Sequence, residues 1–318
     1  MNRNSAPALE APPPVKRRDA VGTPAVPTGA GQSKYVPWLY ILPVLILVVG
    51  IVYVGIGYTG WVSTLDWNGI DPVAEPAGLA NYTQITTDPA FWQTITHFAV
   101  FALLTITAQM ALGLFMAVLL SGSVVFARTL YKIVLFLPVI LAPAVIATAF
   151  RSLLSPQGSL NAFLTGIGLP ASDIAWLADP HLALFTLAAM NIWQWTGLSF
   201  LLYQAAIAQL DQDLFEAAAL DGASWWQTFS LVLLPQLRGT HAILALTGCI
   251  GALKTFDIVY LTTGGGPGRS TEFLTTYIYE QVIEQFHAGY SAALSIVLVI
   301  LALLLSTVQI RAYRFGEE

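Results

Sequence analysis

Residues 216–237 read EAAALDGASWWQTFSLVLLPQL, a segment with two acids, a central glycine and a late proline inside a chain that is otherwise strongly apolar. Helix signals divide it. Asp211 or Asp213 can cap a short helix of good helix formers, LFEAAAL, and Gly222 stands where such a helix takes a left-handed C′ residue. Ser224 with Gln227 three residues on forms a capping box for a second helix, which Pro235 ends. The expected unit is two short helices joined by a glycine turn, lying parallel to a membrane or dipping into it.

The membrane follows from composition. Of 318 residues, 56% are hydrophobic and 10% charged, and the mean hydropathy is +0.69, outside the usual range for soluble domains. The net charge of -5 with no basic patch among aromatics argues against a nucleic-acid partner. Cys249 is the only cysteine and sits among apolar neighbours, so it reads as a packed, inert thiol.

A span needs about 20 predominantly apolar residues, and six stretches qualify, at about 37–60, 92–120, 130–151, 180–207, 239–262 and 289–311. The expected fold is therefore an all-α integral membrane protein of six transmembrane helices, occupying 35–318. Residues 1–34, rich in Pro, Ala and Gly with a Lys16–Arg18 cluster, read as a disordered cytoplasmic tail. The first apolar run is too long for a signal-peptide core.

Positive charge is retained on the cytoplasmic side. With both termini inside, that side receives Arg3, Lys16, Arg17, Arg18, Lys34, Arg128, Lys132, Arg238, Arg311 and Arg314, against Arg151 and Arg269 outside. The loop at 208–238 is then cytoplasmic, and the outer side collects TLDWNGIDPVAEP (64–76) and TTGGGPGRSTE (262–272).

At this point a resemblance enters. Glu216, Ala217, Ala218, Gly222, Val232, Leu234 and Pro235 match, at the right spacings, the EAA loop of binding-protein-dependent ABC importer permeases. DGAS at 221–224 and TFDIVYLTTGGGP at 255–267 resemble the carbohydrate-uptake, maltose-type branch, and the similarity runs from about residue 35 to the C-terminus. The resemblance implies a type I importer permease fold in a bacterial or archaeal plasma membrane. In it the loop is a coupling helix docked in a cleft of a cytoplasmic ATPase, with Glu216, Ala217, Ala218, Asp221 and Gly222 at the contact. It also implies a second permease subunit, an ATPase dimer that binds ATP and Mg, an extracytoplasmic solute-binding protein and a sugar substrate. No cofactor is expected in this chain, and no enzyme activity.

The residues leave an amphipathic re-entry helix lying in the interface open as the plainer reading of this loop. GGGPGRST at 264–271 invites a phosphate-loop reading but fails on detail: three residues separate Gly264 from Gly268 where four are needed, Arg269 replaces the lysine and Pro267 lacks an amide donor. His97, His181, His241 and His287 are scattered, without metal-ligand spacing.

Polar groups inside a span are costly and point to a pathway or to helix–helix bonding. The fourth stretch carries Asn191, Trp193, Gln194, Trp195, Thr196, Gly197 and Ser199. The fifth carries Thr247, Gly248, Gly251, Lys254, Thr255 and Asp257. Indoles beside amides suit sugars, which expose apolar C–H faces and hydroxyl edges. Lys254 and Asp257, three apart, would share a helix face and neutralise one another as an intramembrane pair. A glycerol phosphate remains the alternative cargo, and an ion-coupled secondary transporter using that charge pair is the rival from another class.

Overall fold

The computed structural model describes residues 36–121, 128–171 and 173–315. The tail at 1–34 lies outside the described residues. Among the described residues three helices are long and apolar enough to cross a membrane: α1 (Tyr40–Val62), α3 (Pro89–Ser121) and the segment Ala288–Tyr313 of α13 (Ala288–Phe315). Two bent pairs raise that number to at most five: α4 (Arg128–Ile140) with α5 (Pro143–Leu153), and α9 (Trp225–Gln236) with α10 (Arg238–Leu253).

The stretch expected to span from 130 to 151 is thus not one helix. It turns by 97° between α4 and α5. Pro143 explains the turn: it has no N–H to continue a helix and drives the preceding residue out of the helical region. Ala142 accordingly adopts φ -62, ψ 138, and Pro143 opens α5 in the first-turn position it tolerates. The stretch at 180–207 forms α7 (Ala183–Ile207), a helix of 25 residues. At about 1.5 Å per residue it is long enough to span, but Asn191, Gln194 and Gln204 keep it outside the strongly apolar set.

The stretch expected at 239–262 also divides. α10 stops at Leu253, Phe256 takes φ -134, and a new helix, α11 (Asp257–Thr262), begins. Two hydroxyls bond carbonyls there: Thr255 Oγ1 donates to Gly251 O at 3.1 Å, and Thr275 donates to Thr255 O. Thr275 belongs to α12 (Leu274–Tyr279), which runs on through a π-helical turn, Glu280–Glu284.

α7 is the centre of the fold. α3 lies along it most extensively, and α4 and α10 also pack on it. Gly113 of α3 permits the close approach, since a Cβ there would lie 2.7 Å from Ser199 Cβ. Gly197 does the same on the opposite side, where a Cβ would stand 2.1 Å from the Leu135 carbonyl oxygen of α4. Phe101, Leu187, Met190, Val259 and Phe273 fill one core; Phe200, Tyr203, Leu237 and Leu244 fill another. Large apolar side chains on α4 and α13 face outward, as expected of helices whose solvent is lipid.

A third core joins α2 (Ala80–Thr87) to α12 and α13 through Ile85, Leu274, Tyr277 and Leu294. Polar groups pin the same region. Tyr277 and Tyr290 both donate to Asp88 Oδ2, at 2.5 and 2.6 Å. A two-residue antiparallel ladder, Leu65–Asp66 on Glu75–Pro76, sits beside it, and Asn81 Nδ2 donates to the carbonyls of Ser63 and Leu65 at 2.9 Å each.

Candidate functional site

Two places concentrate polar side chains that the helices alone do not need. The first is a cavity of about 340 Å³ where α3, α7, α10 and the break before α11 converge. α7 contributes Asn191, Gln194, Trp195 and Ser199; α10 and the break contribute Thr247, Gly248, Gly251, Lys254, Thr255 and Asp257. Helical spacing explains the α7 set, because 191, 194, 195 and 198–199 fall on one face at intervals of three and four. Gln194 and Ser199 are buried, so their polar groups face the interior of the protein and not lipid.

Trp193 and Gly197, expected in the same pathway, lie elsewhere on α7. Trp193 meets Phe150 of α5 edge-on, ring centroids 5.2 Å apart, and Gly197 serves the crossing with α4. Residue 193 is two positions from 191 and 195, which on a helix points it to the other side.

The expected Lys254–Asp257 pair is not made. Lys254 ends α10 as its C-cap and Asp257 opens α11, so the two do not share a helix face. Among the described residues no ion pair joins them, and both line the cavity. The i, i+3 rule assumed an unbroken helix.

Two α3 residues in this cavity escaped sequence reading. Gln109 Nε2 donates to Asn191 Oδ1 at 2.9 Å and to Asn191 O at 3.3 Å, while Thr105 bonds its own helix at Phe101 O. Gln109 is 8% exposed. Its signal was present in the sequence: an amide in the middle of an apolar span is costly enough to need a reason. The cavity therefore offers amide and hydroxyl groups, one indole, one ammonium and one carboxylate. That set can hydrogen-bond a polyhydroxylated solute from several sides and carries no net charge.

The second place is the loop at 208–238. α8 (Gln212–Leu220) starts on Asp211, whose side chain accepts from Asp213 N, and ends in a Schellman arrangement. Ala223 N donates to Ala218 O at 2.9 Å, Gly222 N to Ala219 O at 3.1 Å, and Gly222 has φ +75. Ser224 and Gln227 close the capping box in both directions before α9. Trp225 stacks on Phe229 at 5.3 Å, with the rings 8° from parallel.

Phe215 roots α8 against the core beneath α7. Glu216, Ala217, Asp221 and Gly222 are exposed, Ala218 is half-buried, and Leu220 at the tip is 89% exposed. A rigid, small-residue knob with an acid beside it projects from the protein.

These features define an integral membrane protein with a polar cavity among its helices and a projecting helical knob between two of them. Residues 109–315 match the family described as binding-protein-dependent transport system inner membrane component. The chain belongs to this family.

It is 32% identical to the probable ABC transporter permease protein YurN of Bacillus subtilis (strain 168), over 90% of this chain and 99% of that protein. It is 29% identical to the lactose transport system permease protein LacF of Rhizobium radiobacter, over 87% and 93%. Among solved structures, a chain of a bacterial alginate ABC transporter, in complex with an alginate pentasaccharide-bound periplasmic protein, matches with a TM-score of 0.75 at 21% identity, covering 86% of this chain and 92% of that one. At that identity the likeness speaks for the fold.

Proposed function

We propose that the chain is a permease subunit of an ATP-driven importer for a mono-, di- or oligosaccharide, and that the α3–α7–α10 cavity is part of the solute pathway. The observation that carries this reading is the neutral, amide- and hydroxyl-lined cavity at the α10–α11 break. A sugar ring matches its chemistry: hydroxyls meet Asn191, Gln194, Ser199 and Thr255, and a C–H face meets Trp195. The lactose permease of Rhizobium radiobacter among the relatives supports the substrate class.

In the same reading the 208–238 loop faces the cytoplasm and α8 docks in a separate ATPase subunit through Glu216, Ala217, Ala218, Asp221 and Gly222. Small side chains allow close approach, and the fixed turn at Gly222 passes a push on α8 into α9 and α10. Partners are then an ATPase dimer holding ATP and Mg, a second permease subunit and a solute-binding protein. The periplasmic protein in the alginate transporter complex supports the last of these. Both termini, including the 1–34 tail, are placed inside the cell, and the 262–288 region outside.

The test is to purify the assembled complex and measure its ATPase activity with binding protein across a panel of mono- and disaccharides and glycerol phosphates. Stimulation by one or a few sugars is expected. A response to a phosphate ester with silence across the sugars overturns the substrate class, and uptake driven by a proton gradient without nucleotide overturns the importer reading.

A further inference from the structure

The loop at 264–271 is held shut by an unusual charge arrangement. Arg269 Nη1 lies 3.2 Å from Glu272 Oε2 and its Nη2 lies 3.0 Å from Glu280 Oε1, so one guanidinium serves two carboxylates. The Glu272 side chain is only 6% exposed, against 24% for Glu280 and 41% for Arg269. Arg269 also sits 5.4 Å from the Tyr277 ring centroid, and Tyr277 reaches a third carboxylate, Asp88.

Two carboxylates in a half-buried site beside one cation cannot both ionise without leaving a negative charge uncompensated. The pair therefore retains one proton while the site is closed. Opening to water is the other way to relieve the charge. Gly264, Gly265 and Gly268 all have positive φ, and Arg269 itself is held at φ 67, a region that side chains other than Gly rarely occupy. Turn bonds hold its present form, among them Thr271 N to Gly265 O at 3.1 Å and Thr271 Oγ1 to Gly266 O at 2.6 Å.

We propose that Arg269, Glu272 and Glu280 form a proton-dependent clasp on the 264–271 loop, closed while the glutamate pair holds one proton and released as that proton leaves. The packed elements contribute Asp88 ahead of α3, His97 on α3, Tyr260 on α11, Tyr277, Tyr279, Glu280 and Glu284 along α12 and its π turn, and Tyr290 on α13, while Arg151 of α5 lines the loop beside Gly266 and Pro267. His97 touches the main chain only, its Nδ1 standing 2.9 Å from Glu272 O. On the orientation proposed above, the clasp senses the pH outside the cell.

The sign follows from burial. Burial first, then Glu280 beside it, push the Glu272 carboxyl up to about 8 against the pull of Arg269 the other way. A glutamate opened to water titrates in the ordinary carboxylate range, about 4.3. Between those limits the closed form binds more protons than the open one. Closure then weakens by up to about tenfold per pH unit and stops weakening once the closed form has also lost its proton.

The experiment is amide hydrogen exchange on the assembled complex in lipid nanodiscs from pH 5.5 to 9, expressed as protection relative to intrinsic exchange. Protection over 264–272 is expected to fall with rising pH up to about 8 and then level, while α3 amides stay unchanged. Glu272→Gln should stay protected at all pH values, with unchanged α3 protection as the folding control; Glu280→Gln should shift the fall to lower pH, and His97→Gln should leave it in place. A flat wild-type profile, a slope that persists in Glu272→Gln, or one that vanishes in His97→Gln overturns the proposal.

Discussion

The two polar interruptions of this chain, 211–224 and 263–273, differ in how far their polar ties reach. In the first, the capping and turn hydrogen bonds span five residues or fewer, Asp211 to Asp213, Ala223 to Ala218 and Ser224 to Gln227, and Phe215 is the apolar anchor to the core. The second adds distant ties to its own turn bonds: His97 meets Glu272 across 175 residues, and in the helices that follow the loop Tyr277 and Tyr290 meet Asp88 across 189 and 202. A locally determined unit keeps its shape while the body it is attached to moves, which suits the coupling role proposed for it. A loop fixed by remote partners changes when any of them moves.

Four changes would break or sharpen this contrast. Gly222→Pro should have the largest effect, because proline cannot adopt φ +75 and removes the donor to Ala219 O. A local loss of about 3 kcal/mol is expected, and uptake should fall by at least about tenfold while the protein remains in the membrane fraction; Glu216→Lys should uncouple in the same way. Normal uptake in both would remove the coupling role.

Next is Asp88→Ala, which strips two tyrosine hydroxyls of their acceptor at a cost of about 2–3 kcal/mol. Thermal unfolding of the purified protein should move down by several degrees, with exchange in 211–224 unchanged. Spread of the effect into that loop would contradict its local determination.

Ser224→Ala should cost about 1 kcal/mol and loosen only α9. Exchange rates read it directly.

The smallest effect is expected in acid. Burial pushes Asp88 up, but hydrogen bonds from Tyr277, Tyr290 and the Ala90 and Phe91 amides outweigh it and hold the carboxyl below its usual 3.8. A depressed carboxylate stabilises the fold in full above its unfolded pKa and loses that contribution as pH falls through its folded pKa. Below about pH 4 the wild type should therefore weaken while Asp88→Asn lacks this acid-induced step. A step of equal size in Asp88→Asn would assign it to another carboxylate. The direction is opposite to that at Glu272, so on the clasp proposed above acid loosens one side of the network and tightens the other.

The same contrast decides what could be read from the sequence. The α8–glycine–α9 unit follows from caps and turn chemistry to the residue, because all its determinants are neighbours. The bend at Pro143 was readable by the same rules, yet apolar length alone suggested one span from 130 to 151. The break after Leu253 was not. No proline or cap signal marks Lys254–Asp257; Phe256 stacks on Tyr260 at 5.1 Å and meets Tyr279 at 5.6 Å, and Thr275 bonds the Thr255 carbonyl from twenty residues away. Within α7, Asn191, Gln194, Trp195 and Ser199 could be picked out by cost in an apolar setting, but residue type could not tell the cavity face from the Trp193 and Gly197 faces.

The right angle between α4 and α5 has a mechanical meaning. α4 lies against α7, α5 lies against α11, and Pro143 at the corner lines the cavity. A helix pair bent by 97° sets α5 across the line of α4, so that any displacement of α4 along its own axis would reach α11 as a sideways push. The lever needs no hinge of its own, since the missing amide of one proline has already set its elbow.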